Sequence, residues 1–148
     1  MTTFIGEYTS KLDDRGRLVL PSQLKACVPD GEALEFVVKK SIYSPCLEMY
    51  TLSAWEEESN LLKSRLNFLN PEHAAFWREY MRDRDVVSPD AKFGRISISR
   101  NLLDAIGVDK EVVFFGIDFK IEIWAKEIFL SSRLSNEKYI AIAESLSK

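Results

Sequence analysis

The cleanest alternation of apolar and polar positions in this chain is Phe119-Lys120-Ile121-Glu122-Ile123-Trp124. It predicts a strand over 120–124 with one buried face and with Lys120 and Glu122 turned outward. Phe4 to Leu12 also reads as extended, and Leu18 and Leu20 alternate around Val19 until Pro21 stops the run. Leu34 to Val38, Leu47 to Leu52, Val86-Val87, Gly94 to Ile98 and Val112 to Phe115 follow as strands. Helical spacing appears between them. Ser22 can cap a short helix over 23–27, and Ser53-Ala54-Trp55-Glu56 has the form of a capping box, in which serine and glutamate each satisfy an amide at the helix start. Trp55, Leu61, Leu62, Leu66 and Leu69 then supply an apolar face. Asn70-Pro71 opens a second helix carrying Phe76, Trp77, Tyr80 and Met81. Downstream, Ser99 caps a helix that Gly107 can end, and closing helices occupy 125–134 and 136–147, the last capped by Ser135.

The elements come in two copies. Asp13-Asp14-Arg15-Gly16-Arg17-Leu18-Val19-Leu20 is echoed by Lys92-Phe93-Gly94-Arg95-Ile96-Ser97-Ile98, and Leu24 matches Leu102 at the same offset of 78. Leu47-Glu48-Met49-Tyr50 with Trp55 matches Ile121-Glu122-Ile123-Trp124 with Phe129 at an offset of 74. Two units are too few for a solenoid, so the pattern predicts two copies packed around one core, each presenting an arginine-bearing loop. The expected organisation is a first half over 1–52, a helical connection over 53–84, a second half over 85–130 and a terminal helix over 131–148, all within one pseudo-symmetric domain.

With 148 residues, 46% hydrophobic and 29% charged, the chain is long enough for one domain with a sizeable core. No apolar run approaches the roughly 18 residues of a membrane span, and the N-terminus lacks the layout of a secretory signal, so no membrane partner and a cytoplasmic location are expected. Cys27 and Cys46 stand outside any CxxC spacing and away from histidine, which predicts incidental thiols in a reducing compartment rather than a metal site. A net charge of −3 and a pI near 5.3 are not those of a usual nucleic-acid binder. Locally the balance reverses: between Tyr8 and Lys25 the basic residues Lys11, Arg15, Arg17 and Lys25 outnumber Asp13 and Asp14.

Catalysis has little to stand on. His73 is the single histidine and has no spaced partner, so neither a nucleophile triad nor a histidine metal site can be assembled. Glu56, Glu57 and Glu58 read as first-turn acids favoured by the helix dipole, and no Gly-rich phosphate cradle occurs. Neither enzymatic activity nor a cofactor nor a small-molecule substrate is expected. The two Gly-Arg turns are the better candidates. Glycine at 16 and 94 permits φ > 0, and the following Arg17 and Arg95 then project from a rigid strand start. Such an arginine can fork onto a guanine edge or grip phosphate, whereas Asp13 can accept from the turn's own amides or brace Arg17. An Asp13–Arg17 ion pair that only pins the hairpin accounts for the same spacing equally well.

The segment Leu12-Asp13-Asp14-Arg15-Gly16-Arg17-Leu18-Val19-Leu20-Pro21 resembles the signature of the MraZ family of bacterial transcriptional regulators. Pro45 to Tyr50 with Trp55, Asn70-Pro71, and Lys110 to Val113 through Ile121 to Trp124 fall in the order of that family's patterns, so the resemblance spans nearly the whole chain. It implies an α+β fold: two AbrB-like β-βα-β halves in one swapped-hairpin β-barrel, with a helical pair between them, C-terminal helices, and subunits assembled into a ring. It also implies binding to double-stranded DNA repeats upstream of the protein's own cell-division and cell-wall gene cluster, and a place at the nucleoid. The family's Asp-x-x-x-Arg loops carry over to Asp13, Arg15, Gly16 and Arg17. In the second half Asp90 precedes Arg95 by five residues and Ala91 stands where the aspartate would align, so the second loop, with Lys92, Gly94 and Arg95, is expected to be the weaker.

The combined expectation is a multimeric DNA-binding regulator that docks Arg15 and Arg17 in a groove and sets Lys11 and Lys92 on phosphates. Multivalency would offset the acidic pI. An oligomeric module that sequesters a partner enzyme is the alternative, and the pI suits it better.

Overall fold

The computed structural model describes residues 2–147; residues 1 and 148, the ends of the expected terminal ranges, lie outside the described residues. The elements run β1 (Phe4–Lys11), β2 (Arg17–Val19), α1 (Ser22–Lys25), β3 (Phe36–Lys40), β4 (Leu47–Thr51), α2 (Leu52–Lys63) and α3 (Pro71–Tyr80). They continue with β5 (Arg84–Val87), β6 (Arg95–Ser97), α4 (Arg100–Ala105), β7 (Glu111–Asp118), β8 (Ile121–Ala125), α5 (Lys126–Ser131) and α6 (Asn136–Leu146). This is an α+β fold built on an antiparallel sheet.

Each of the first four strands hydrogen-bonds to one of the last four: β1 to β7, β2 to β6, β3 to β5 and β4 to β8. The six-stranded sheet has the order β1-β7-β8-β4-β3-β5, while β2 and β6 form a separate ladder. Exchanging β1 with β5, β3 with β7 and β4 with β8 leaves that order unchanged, so a pseudo-two-fold axis runs through the β2/β6 and β4/β8 ladders. On it Leu18 faces Ile96 and Glu48 faces Glu122, each residue opposite its own repeat mate. The flanking aromatics obey the same relation. Tyr50 meets Trp55 edge-on with centroids 6.2 Å apart, and Trp124 meets Phe129 edge-on at 5.9 Å.

Side chains of successive strand residues point to opposite faces. One face, with Phe36, Val38, Leu47, Met49, Phe114, Ile121 and Ile123, forms the apolar core together with Leu18 and Ile96 from the ladder, Leu24 from α1 and Leu102 and Leu103 from α4. The opposite face is closed by α2, α3 and α5 and is partly polar. Here Lys39 and Lys120 both reach Glu48, at 3.0 and 2.7 Å, and the Trp124 indole donates to Glu122 at 3.0 Å. The Lys120 and Glu122 side chains are thus not turned to solvent as the alternation predicts, because helices cover the second face as well. Burial drives the Glu48 carboxyl upward, but the bonds and charges of Lys120 and Lys39 outweigh it and hold the group below its ordinary value. Trp55 and Tyr80 stack with centroids 5.8 Å apart, and the Arg84 guanidinium lies beside the pair, 4.3 and 4.4 Å from the two centroids, its Nη2 donating to the Tyr80 carbonyl. This cluster of two stacked rings and one cation fastens α2 and α3 to β5.

The expected closed barrel is not found. Strands β1 and β5 are edges of an open sheet, because β2 and β6 are three residues long and pair as strands with one another instead of joining those edges. Some helix boundaries also differ from expectation. Thr51, not Ser53, caps α2, its Oγ1 accepting from the Ala54 amide at 3.2 Å, while the Ser53 hydroxyl donates to Glu32. The capping-box pattern misleads because a better-placed hydroxyl lies two residues earlier, and the earlier start also moves Glu56 to Glu58 out of the first turn. Helix α2 ends at Lys63, leaving Leu66 and Leu69 in the following loop. Pro21 takes the cap position of α1, and at Ser99 it is the amide that is held, donating to Asp85 Oδ2 at 2.6 Å. The Asn70 and Ser135 caps form as expected. Helix α6 stands apart: all of its residues are exposed. No helix among the described residues is long and apolar enough to cross a membrane.

In the β1/β7 ladder Gly6 faces Gly116, and a Cβ on Gly116 would lie 2.7 Å from the Ile5 nitrogen and from the Phe4 carbonyl carbon. Both obstacles are backbone and cannot swing aside. Gly116→Ala should therefore lower stability by about 3 kcal/mol, the upper end for overpacking, read as a fall in the denaturant midpoint.

Candidate nucleic-acid interface

The β2/β6 ladder buries Leu18 and Ile96 and turns Arg17, Val19, Arg95 and Ser97 away from the core. Arg17 lies opposite Ser97 and Arg95 opposite Val19, so the two arginines occupy diagonal corners of a two-stranded ribbon. Each ribbon strand is entered through a Gly-Arg turn, and the antiparallel pairing puts those turns at opposite ends. A bond from the Leu20 amide to the Gly94 carbonyl, 2.9 Å, ties the second turn to the first strand.

The first turn is organised by one carboxylate. Asp13 Oδ1 accepts from the amides of Arg15 and Arg17 at 2.9 and 2.8 Å, and Oδ2 accepts from Arg17 Nε at 2.9 Å. Backbone bonds close the turn, from the Asp13 amide to the Arg17 carbonyl and from the Gly16 amide to the Asp13 carbonyl, with Gly16 at φ 75°. The second turn repeats the scheme with Asp90. Its Oδ1 accepts from the amides of Lys92 and Phe93 at 3.1 and 2.7 Å, and its Oδ2 from the amide and Nε of Arg95 at 3.3 and 2.8 Å. Asp90 therefore stands in the place of Asp13, which corrects the alignment of Ala91 with that aspartate. The additional residue widens the turn from an i→i+3 to an i→i+4 closure, Gly94 donating to Asp90, and Gly94 at φ 68° keeps the exit direction. The backbone bond from Arg17 chiefly holds the Asp13 carboxyl below its ordinary value. Asp90 lies well below the usual carboxylate range through the Phe93 amide and the Arg95 guanidinium.

The ion pair uses only one edge of each guanidinium. Arg17 and Arg95 engage their aspartates through Nε, and among the described residues no hydrogen bond occupies their Nη groups. The carboxylate holds the guanidinium stem while the outer edge of the fork remains available. Lys11, Arg15 and Lys92 are exposed around these turns. The ribbon thus brings together every candidate except Lys11, which stands at the end of β1 leading into the first turn. Sequence reasoning missed Val19 and Ser97, although period-two alternation about Leu18 and Ile96 would have placed both outward.

Elsewhere the geometry is structural. His73 Nδ1 accepts from the Asn67 amide at 2.9 Å and so closes the loop before α3. Burial pushes the Cys46 thiol up to about 12, which leaves it unreactive near neutrality. No cluster of metal-ligating side chains occurs among the described residues. A cavity of about 370 Å³ beneath α2 and α3 contains Lys39 and Lys120, but Glu48 already engages both.

The family described as "MraZ protein, putative antitoxin-like" matches residues 3–79 and 82–145. A relative from Bacteroides thetaiotaomicron named transcriptional regulator MraZ is 34% identical over 146 residues, covering 99% of this chain and 93% of that protein. Proteins of the same name from Bacteroides fragilis and Clostridium acetobutylicum are 35% and 33% identical, covering 86% and 98% of this chain and 80% and 97% of their own lengths.

Because both aspartates titrate below their unfolded value, the charged form stabilises the folded turns. That contribution is complete above the ordinary aspartate pKa near 4 and is lost as pH falls toward each depressed value. The amide proton shifts of Arg17 and Phe93 should accordingly hold from pH 7 to about 4 and move only below it. In Asp13→Asn and Asp90→Asn the corresponding step should be absent.

Proposed function

The chain belongs to the MraZ family, and from that premise we propose that it is a sequence-specific DNA-binding transcriptional regulator. Its targets are repeats upstream of its own cell-division and cell-wall gene cluster, engaged in the cytoplasm at the nucleoid. The observation that carries this reading is the β2/β6 ribbon with an aspartate-braced arginine at each end. A two-stranded ribbon fits the major groove of B-DNA, where an arginine fork discriminates guanine by its O6 and N7 acceptors. In this reading Arg15, Arg17 and Arg95 face base edges and Lys11 and Lys92 take phosphates. The first turn carries two acids against two arginines, whereas the second carries one acid against Lys92 and Arg95, so the second turn contributes at least as much electrostatic attraction.

The pairing of first-half strands with second-half strands supports two AbrB-like halves with exchanged strands, over 1–52 and 85–130, joined by 53–84 and followed by 131–148. Self-assembly into a ring is supported by α6, where Tyr139, Ile140, Ile142 and Leu146 are exposed on a helix that buries none of its own residues. A second copy covering this face would bury that apolar area and would multiply ribbons along spaced repeats. Matched spacing raises avidity by roughly 10² to 10⁴.

Arg15→Ala is the cleanest test, since among the described residues the Arg15 side chain makes no hydrogen bond or ion pair. Affinity for DNA from upstream of the protein's own gene should fall about 5- to 150-fold with thermal stability unchanged. Arg17→Ala should lose as much and also loosen its turn. Lys11→Ala and Lys92→Ala should each flatten the slope of log affinity against log salt by about 0.9 per contact. A salt-independent wild type would instead favour the sequestering module. Separately, a chain ending at Leu134 should scatter light as a smaller assembly than the full chain while retaining its sheet by circular dichroism.

A further inference from the structure

At the offset of 78 that aligns the two Gly-Arg turns, Arg15 corresponds to Phe93. Counted from the aspartates, Arg15 corresponds to Lys92, so the additional residue of the second turn sets an aromatic ring directly before the Gly-Arg pair, where the first turn has a cationic fork. The Phe93 side chain is not a core residue that strayed: it is 56% exposed. Nor is its position loose. The Phe93 amide is held by Asp90 Oδ1 at 2.7 Å, the Arg95 guanidinium lies 4.7 Å from the ring centroid, and Lys92 Nζ lies 5.2 Å from it. A large apolar surface is thus kept in water, in a fixed place, on a turn whose other side chains are cationic.

We propose that Phe93 is a specificity-determining residue that contacts the 5-methyl group of a thymine, so that the protomer reads its DNA element in one orientation. This deepens the DNA-binding reading and rests on it. When Lys92 and Arg95 engage the DNA, the ring between them is pressed against the groove. The major groove offers one apolar feature on its base edges, the thymine methyl. The first turn, with Arg15 at the equivalent place, reads a hydrogen-bonding edge instead. A scaffold whose strand pairing is palindromic thereby acquires a non-palindromic preference, and the additional residue of the second turn provides the reach.

The test uses the full-length assembly and upstream DNA in which thymines are replaced singly by uracil, which removes the methyl group and nothing else. One replacement should weaken wild-type binding about fourfold, the factor associated with burying a single methyl group. Phe93→Ala should weaken binding to the thymine DNA by at least that factor and make the protein indifferent to the same replacement. Phe93→Leu, which keeps an apolar tip, should remain sensitive, and Arg15→Ala should stay as methyl-sensitive as the wild type. The inference is overturned if Phe93→Ala binds thymine DNA as tightly as wild type, or if its loss leaves the uracil effect intact. A wild type that binds upstream DNA but ignores every uracil overturns this inference alone, whereas one that does not bind that DNA overturns the DNA-binding reading with it.

Discussion

The whole arrangement depends on one constraint: each strand of the first half hydrogen-bonds to a strand of the second. Pairing of that kind forces the two Gly-Arg turns onto a single ribbon, because β2 can be satisfied only by β6. It also puts repeat mates face to face on the axis. For Leu18 and Ile96 this is favourable, since two apolar side chains plug the same core. For Glu48 and Glu122 it sets like charges opposite one another, which is destabilising in a ladder. The chain resolves the conflict asymmetrically. Lys39 and Lys120 both neutralise Glu48, while Glu122 accepts from the Trp124 indole.

The turns show how an acidic protein can present a usable cationic edge. An unbraced arginine on a glycine turn would sample many rotamers and lose that freedom on binding. Asp13 and Asp90 remove most of it beforehand, fixing the backbone amides with one oxygen and the guanidinium stem with the other. The cost is local charge, since each brace cancels one cation. Lys11, Arg15 and Lys92, left exposed, restore the balance.

Much of this was legible in the residues. The repeat, the strand positions, the Asn70 and Ser135 caps and the Gly-Arg turns follow from local chemistry, which acts over a few residues. The open edges of the sheet do not, since they depend on which strand finds which partner across the chain. The polar second face was misread for a related reason: alternation reports that two faces differ, not that helices will cover both. The equivalence of Asp90 and Asp13 was hidden by counting positions from the arginine. What aligns them is the set of amides each carboxylate gathers, and a turn can gain a residue without losing it. The outward places of Val19 and Ser97 on the ribbon were overlooked because apolar and small polar residues attract little notice beside arginines.

The interleaving of the halves also governs how the chain can reach this structure. Residues of β1 pair with residues of β7 that follow 100 to 114 positions later, and β4 pairs with β8 across 72 to 76 positions. Contacts so distant in sequence close large loops before any enthalpy is returned, a circumstance that slows folding. On a ribosome, which emits the N-terminal part first, β3 and β4 can pair at once, but β1 and the outer edge of β4 stay unpaired until β7 and β8 are made in the final third of the polypeptide. The ribbon has both of its strands only after Ser97, about two-thirds of the way along the chain, and the sheet that carries it is completed later still, with β7 and β8.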